Sequence, residues 1–480
     1  MNALMSKGNV PQGGMTPKRA GNPVDWYFAE FERVRSGLAG ADIPWLEAAR
    51  RRALIRFGAM GFPTLRDEDW KYTSLAPVEN RAFRTAIRAD ADLVEEALNK
   101  SELPPLLTGE GGGEGVNSMT YALTRTLYQG ERGFNHELVF INGHFCESLS
   151  RLGQLPQGMR IESLAKTLAR QEDVLYEHIQ RQAERTGDAF AALNAAFMND
   201  GVFIQVADGA LVEDPIQLIF LSTGEAVASH PRIVIAAGAN ARLQVVESYQ
   251  SLGMNSGLTN TLTEVCLGDG AEIEHAKLQL EGLKGHHFGH LLVRQGRDSR
   301  LVSHSISLGA ALARHDVAID LDGEGAQAVL NGLYLADGRQ HVDHHTRIEH
   351  IKPHTTSEEN YKGVLGGHAR GVFNGKVTVH PQAQKSDARQ SNKNLLLSAN
   401  AEVDTKPELQ IYADDVKCGH GATVGQLDED AVFYLRSRGI DKGKAQGLLT
   451  YAFAEEVVSR IGVAPLRSLL KTRLARQFHL

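Results

Sequence analysis

A chain of 480 residues with 51 Lys and Arg against 58 Asp and Glu has a formal charge of -7, so it lacks the positive field that sequence-independent binding to nucleic acid requires. Hydrophobic residues at 42% and charged residues at 23% match a soluble globular protein, and no apolar run approaches the roughly 20 residues that span a bilayer. The length allows several units of about 100 to 200 residues each, and 48 glycines predict many tight turns.

Residues 1–21 carry Gly, Pro, Ser and Lys without the apolar stretch of a secretion signal, which predicts a disordered tail on a cytoplasmic protein. Asn22-Pro23-Val24-Asp25 then opens a helix, with Asn as N-cap and Pro at the first helical position, and Tyr27, Phe31, Val34 and Leu38 share one face. A second helix runs from Pro44 through Leu46, Ala49, Ala53, Phe57 and Met60, and Gly61 and Pro63 end it. Past the segment Asp67-Glu68-Asp69-Trp70-Lys71-Tyr72-Thr73, a further helix is expected around Ala91 to Lys100. The stretch from Gly109 to Gly115 lacks the Lys-Ser/Thr ending of a phosphate-binding loop and holds two glutamates, so it is read as a linker. Leu138 to Phe145 suggests a short strand, and Ser163 to Asn194 has helical periodicity. Residues 22–199 are therefore expected to form a mainly helical N-terminal domain.

From Gly201 the pattern changes to short runs such as Val202-Phe203-Ile204-Gln205-Val206 and Leu243-Gln244-Val245-Val246, separated by Gly, Asn and Asp turns. A degenerate unit of about 25 to 30 residues recurs, and Ala328-Val329-Leu330-Asn331-Gly332 is echoed by Gly371-Val372-Phe373-Asn374-Gly375. Short strands at this period without intervening helices predict a parallel β-helix over residues 200–427, with a β-sandwich or double-stranded barrel as the competing architecture. Helical periodicity returns over residues 428–480. Ala445, Leu448, Leu449, Ala452, Phe453 and Val457 form one stripe, and Pro465 opens a last helix containing Leu466, Leu469, Leu470 and Leu474. This module either caps the solenoid or docks a partner.

Three cysteines, Cys146, Cys266 and Cys418, form no CxxC pair, which excludes a disulfide framework and a self-contained four-thiolate cluster site. Thirteen of the 19 histidines lie between His286 and His420, concentrated at His341, His344, His345, His350 and His354. This opens the alternative of a metal-dependent enzyme, or of a carbohydrate-active one using Asp343 and Glu349. The spacing argues against it, because along a strand His341 and His345 face one way while His344 and His350 face the other. The pair Cys418 and His420 is more informative. If Gln410 to His420 is a strand, both project to one side, with Asp414 and Val416 further along that face. A thiolate and an imidazole are half of a cluster site, and a buried Cys beside a hydrogen-bonded His is the competing reading.

Several segments carry a resemblance: His344-His345-Thr346-Arg347-Ile348-Glu349-His350, Pro353-His354-Thr355-Thr356-Ser357, Tyr361-Lys362-Gly363-Val364, Ser391 to Leu397, Asp404-Thr405-Lys406-Pro407, Tyr412 to Cys418, His420-Gly421-Ala422-Thr423-Val424-Gly425 and Phe433 to Ile440. With them the chain resembles the SufB/SufD family of iron-sulfur cluster assembly proteins, and within it the SufD type, because Ser398 to Asp404 lacks the sulfur-accepting cysteine of the SufB type. The resemblance implies a right-handed parallel β-helix flanked by helical N- and C-terminal domains, acting as a non-catalytic scaffold. It implies pairing with SufB through the last coils and with the SufC ATPase through the C-terminal helices, where Phe433, Leu435, Leu448, Leu449 and Phe453 would form the docking region. His420 would be a ligand of a transient iron-sulfur cluster shared with SufB, and Cys418 would sit beside it. The family's complex is also associated with reduced flavin, for which this chain has no motif, nor has it an ATP site. The assembly of the isolated chain is left open by the sequence, a homodimer being one alternative.

Overall fold

The computed structural model describes residues 22–86, 134–170, 175–176, 179, 187–252 and 256–480. The expected tail, the helix around residues 91–100 and the linker at 109–115 lie outside the described residues.

Local signals set the first helices. The Asn22 side chain accepts from the Val24 N–H at 3.1 Å and caps Pro23–Val34, which buries Tyr27, Phe31 and Val34. Pro44–Met60 follows and buries Leu46, Ala53, Leu54 and Phe57. The helical periodicity over 163–194 resolves into Leu164–Ala169 and Ala189–Phe197, the second capped by Asp188 through the Ala191 N–H. Ala189–Phe197 is apolar nearly all round because it is wedged between Pro44–Met60 and the outer face of a sheet, with Phe190 stacked on Phe288 at 3.8 Å.

The core is a parallel β-helix. Among the described residues the coil's strands alternate between two sheets of eleven strands each, and each strand before the last turn pairs with the one a full turn later. In sheet 1, Leu258, His286, Leu312, His341, Arg370 and Glu402 stack in register, one per turn. In sheet 2, Arg242, Glu272, Arg300, Gln327, Thr356, Asp387 and Lys417 do the same. The period of two sends alternate side chains into the lumen, where Val245, Ile273, Leu301, Ala328, Ile319, Ile348 and Val377 form a continuous aliphatic core.

The sheets begin before residue 200, inside the N-terminal region, and the strand expected at 138–145 is part of them. His136–Ile141 pairs in parallel with Ile216–Ser222, and Met159–Ser163 pairs antiparallel with Gly201–Val206. All six residues of His136–Ile141 are buried, and its parallel partner lies about 80 residues further along the chain.

Both outer faces of the coil are covered. The N-terminal helices pack on sheet 1 through Ala228, Leu258, Phe288 and Leu312. The C-terminal helices Lys442–Val458 and Ala464–Gln477 lie along sheet 2, where Val457, Val458, Ile461, Val463, Leu466, Leu470 and Leu474 bury against Ala276, Leu278, Ile306, Leu333, Leu335 and Val364. At about 1.5–3 kcal/mol per fully buried aliphatic side chain, this is a main seam of the fold. The C-terminal module therefore covers a flank of the solenoid and leaves its end free. Glu402–Ile411 and Lys417–Gly425 are the last strands of the two sheets, and among the described residues neither has a strand on its outer edge.

Candidate functional site

The free end is built by these two strands. Lys417–Gly425 pairs with Asp387–Leu396 so that Cys418 stacks on Ala388, His420 on Gln390 and Ala422 on Asn392, all buried lumen residues. Cys418 and His420 therefore share the lumen-facing side of the last rung, as the spacing of two requires. Cys418 is half-buried against the aliphatic core, whereas His420 is exposed. Asp414 departs from the expectation. The strand starts at Lys417, so Asp414 is exposed in the preceding turn, while Val416 packs on the core.

An open cavity of about 760 Å³ lies at this rim, lined among others by Glu359, Asp387, Arg389, Gln390, Cys418 and His420. Burial pushes the Cys418 thiol up, so a metal would have to displace its proton. One rung below Gln390, burial raises the Glu359 carboxyl to about 7, although Thr346 Oγ1 and Gln390 Nε2 donate to its two oxygens. The rim thus offers a soft sulfur donor, an exposed imidazole, and a carboxyl raised by burial to about 7. Among the described residues no three of His, Cys, Asp and Glu stand together as a metal site.

The histidine cluster is dispersed over two faces. His341 hydrogen-bonds Thr73 at 2.9 Å and His345 contacts Asp343 at 3.0 Å on the outside. Inside, His344 lies between the rings of Tyr334 and Tyr361, with centroids 5.4 and 5.5 Å away, and His350 bonds Thr355 and Ser357. Burial lowers both His344 and His350 to about 4, which keeps them neutral. His354 occupies a turn at φ 58°. Asp343 is tied to Arg314 and Thr73, and Glu349 to His380, so the two carboxylates do not form a pair.

Comparison with known proteins bears on the same region. Residues 220–453 match the family model for the SUF system FeS cluster assembly SufBD core domain, and residues 23–104 and 134–218 match the SufBD protein N-terminal region. The chain is similar to an iron-sulfur cluster assembly SufBD family protein of Synechocystis, at 31% identity over 90% of this chain and 91% of that one. It is similar to the iron-sulfur cluster assembly protein SufD of Escherichia coli at 30% identity over 87% and 89%. A chloroplastic protein of Arabidopsis thaliana, ABCI7, is 33% identical over 57% and 60%. The chain belongs to the SufBD family of iron-sulfur cluster assembly proteins.

In this SufBD chain the C-terminal residues singled out from sequence fall into two groups. Phe433 is 70% exposed, and Leu435, Leu448 and Leu449 are half-buried. Phe453 instead anchors its helix to the coil, since Lys362 Nζ sits 4.4 Å from its ring centroid and donates to its carbonyl at 3.1 Å. Ala452 is exposed, and the buried face of that helix is Ala445, Thr450, Ala454, Val457 and Val458.

The acidic segment before Thr73 has a role that its local sequence does not disclose. It clamps four successive strands of sheet 1. Arg314 lies 3.8 Å from the Trp70 ring centroid and donates to the Asp69 carbonyl; Thr73 Oγ1 donates to Asp343; Arg370 lies over Tyr72 at 6.0 Å; Lys406, on the free edge, pairs with Glu68 at 2.6 Å. Sequence reasoning also passed over Gln390 and Glu359. Their signal is polar residues at alternate positions, Gln390, Asn392 and Asn394, inside a strand whose lumen face would otherwise be aliphatic.

Proposed function

We propose that this SufBD protein is a SufD-type scaffold subunit that pairs with a SufB-type sister through the last rung of its coil. A nascent iron-sulfur cluster is its transient cargo, held by His420 with Cys418 beside it, and the remaining donors come from across the seam. The subunit has no turnover of its own and works in the cytoplasm. A SufC-type ATPase docks at the helix Glu429–Ser437 through Phe433 and Leu435, with Leu448 and Leu449 adjoining.

One observation carries the reading: among the described residues the two sheets end in unpaired edges, and the thiol and imidazole face the lumen on the final strand. An open edge is a template for pairing with another chain, and the exposed Ile411, Tyr412 and Val424 give this one apolar surface to bury. Two donors suit a site completed by a partner, because a cluster takes four. Anaerobic cluster assembly on the co-expressed complex tests it. His420→Ala is expected to lose most cluster absorbance at unchanged subunit stoichiometry, with Cys418→Ser less affected; undiminished assembly in His420→Ala removes that residue from the mechanism.

A further inference from the structure

We propose that Gln390 is a positioning residue for His420. Its side-chain carbonyl accepts an imidazole N–H and so determines which ring nitrogen is presented to the seam. The inference deepens the proposed function and rests on its reading of His420 as a ligand.

Glu359, Gln390 and His420 stack in register on three successive strands of sheet 2, all on the lumen side. Adjacent strands are about 4.8 Å apart, within reach of neighbouring side chains. The orientation of the Gln390 amide is fixed from below. Its Nε2 donates to Glu359 Oε1 at 3.0 Å, and Thr346 Oγ1 donates to the other oxygen of the same carboxyl. That leaves the amide oxygen, Oε1, which is buried and has no hydrogen-bond partner. A buried acceptor without a donor is destabilising, so this one awaits an N–H. The next group up the ladder is the exposed imidazole of His420, and the two residues line one cavity.

The space for the amide is provided from the opposite sheet. Gly375 faces Gln390 across the lumen, and a Cβ there would overlap Nε2. Gly332 makes room for the Tyr361 ring from the neighbouring strand of the same sheet. The glycine of each Asn-Gly pair, 331–332 and 374–375, thus leaves room for a large lumen side chain. Metal-ligating histidines commonly give their second ring N–H to such an acceptor, which fixes tautomer and ring orientation.

The test reads the tautomer of His420 in the full chain by long-range proton–nitrogen NMR with labelled histidine, at about pH 8. His420→Ala assigns the signal. The wild type is expected to show one dominant tautomer. Gln390→Met, similar in shape but without the acceptor, should shift the tautomer ratio by about threefold or more, the change expected for one hydrogen bond. Gln390→Glu, which keeps an acceptor, should restore it. An unchanged ratio in a folded Gln390→Met overturns the proposal; if that variant does not fold, the same comparison is made with Gln390→Leu. Failure of the ligand reading is separable, because it would appear as full cluster assembly in His420→Ala with the tautomer preference intact.

Discussion

Glu359 shows how a single buried carboxyl couples the rim to pH. Its folded value is raised from the usual 4.5 to about 7 by burial, so the folded state holds a proton that the unfolded chain releases at lower pH. The stabilising contribution is complete below about pH 4.5 and is lost as pH rises through about 7. Glu359→Gln is therefore expected to flatten the decline of stability between about pH 5 and 7.5, by at most about 3 kcal/mol, read as denaturation midpoints of variant against wild type. His344 has the opposite sign. It is depressed to about 4, so its contribution is present above about 6.5 and is lost as pH falls through 4. A folded His344→Phe protein should resist acid better than the wild type, and equal acid sensitivity would contradict the burial argument. At this scale the sequence was legible wherever strand parity alone decides, as for Cys418 and His420. It was silent on Gln390, whose importance depends on Gly375 across the lumen.

Helices and strands show what local pattern can and cannot convey. The Asn22 cap and the proline starts specify their helices through neighbours in the chain, and the solenoid strands are bounded by turns every few residues. Trp70 is different, because its partners Arg314, Phe190 and Phe288 lie far along the sequence. Trp70→Ala should cost about 3–5 kcal/mol, the usual range for a buried aromatic, and should free residues 22–86 to limited proteolysis while the coil stays intact. The C-terminal helices also have a role that periodicity left open between capping and docking. They shield the apolar flank of sheet 2, so removing residues after Asp430 exposes Leu278, Ile306, Leu333 and Leu335. Such a truncation is expected to aggregate or to melt well below the full chain; a soluble product with an unchanged melting temperature would mean that the flank is stable without them.

For the molecule as a whole, one end of the coil is open while both flanks are covered. This asymmetry follows from the chain order, which places one helical module before the coil and one after it. Each folds back along a side, and among the described residues nothing pairs with the last rung. The isolated chain is expected to self-associate through this edge in a concentration-dependent way, seen as a mass increase by light scattering that a SufB-type partner reverses. A lysine at Val424, on the lumen face of the last strand, should weaken both assemblies by placing charge in a dehydrated seam.

The central claim is that Glu402–Ile411 and Lys417–Gly425 form the seam, and backbone hydrogen exchange of this subunit, free and within its complex, tests it most directly. The account predicts that the amides of these two strands exchange more slowly by about tenfold or more in the complex, as pairing of a bare edge requires. Rim amides that exchange at the free rate in an intact complex, with protection appearing elsewhere on the surface, would contradict it.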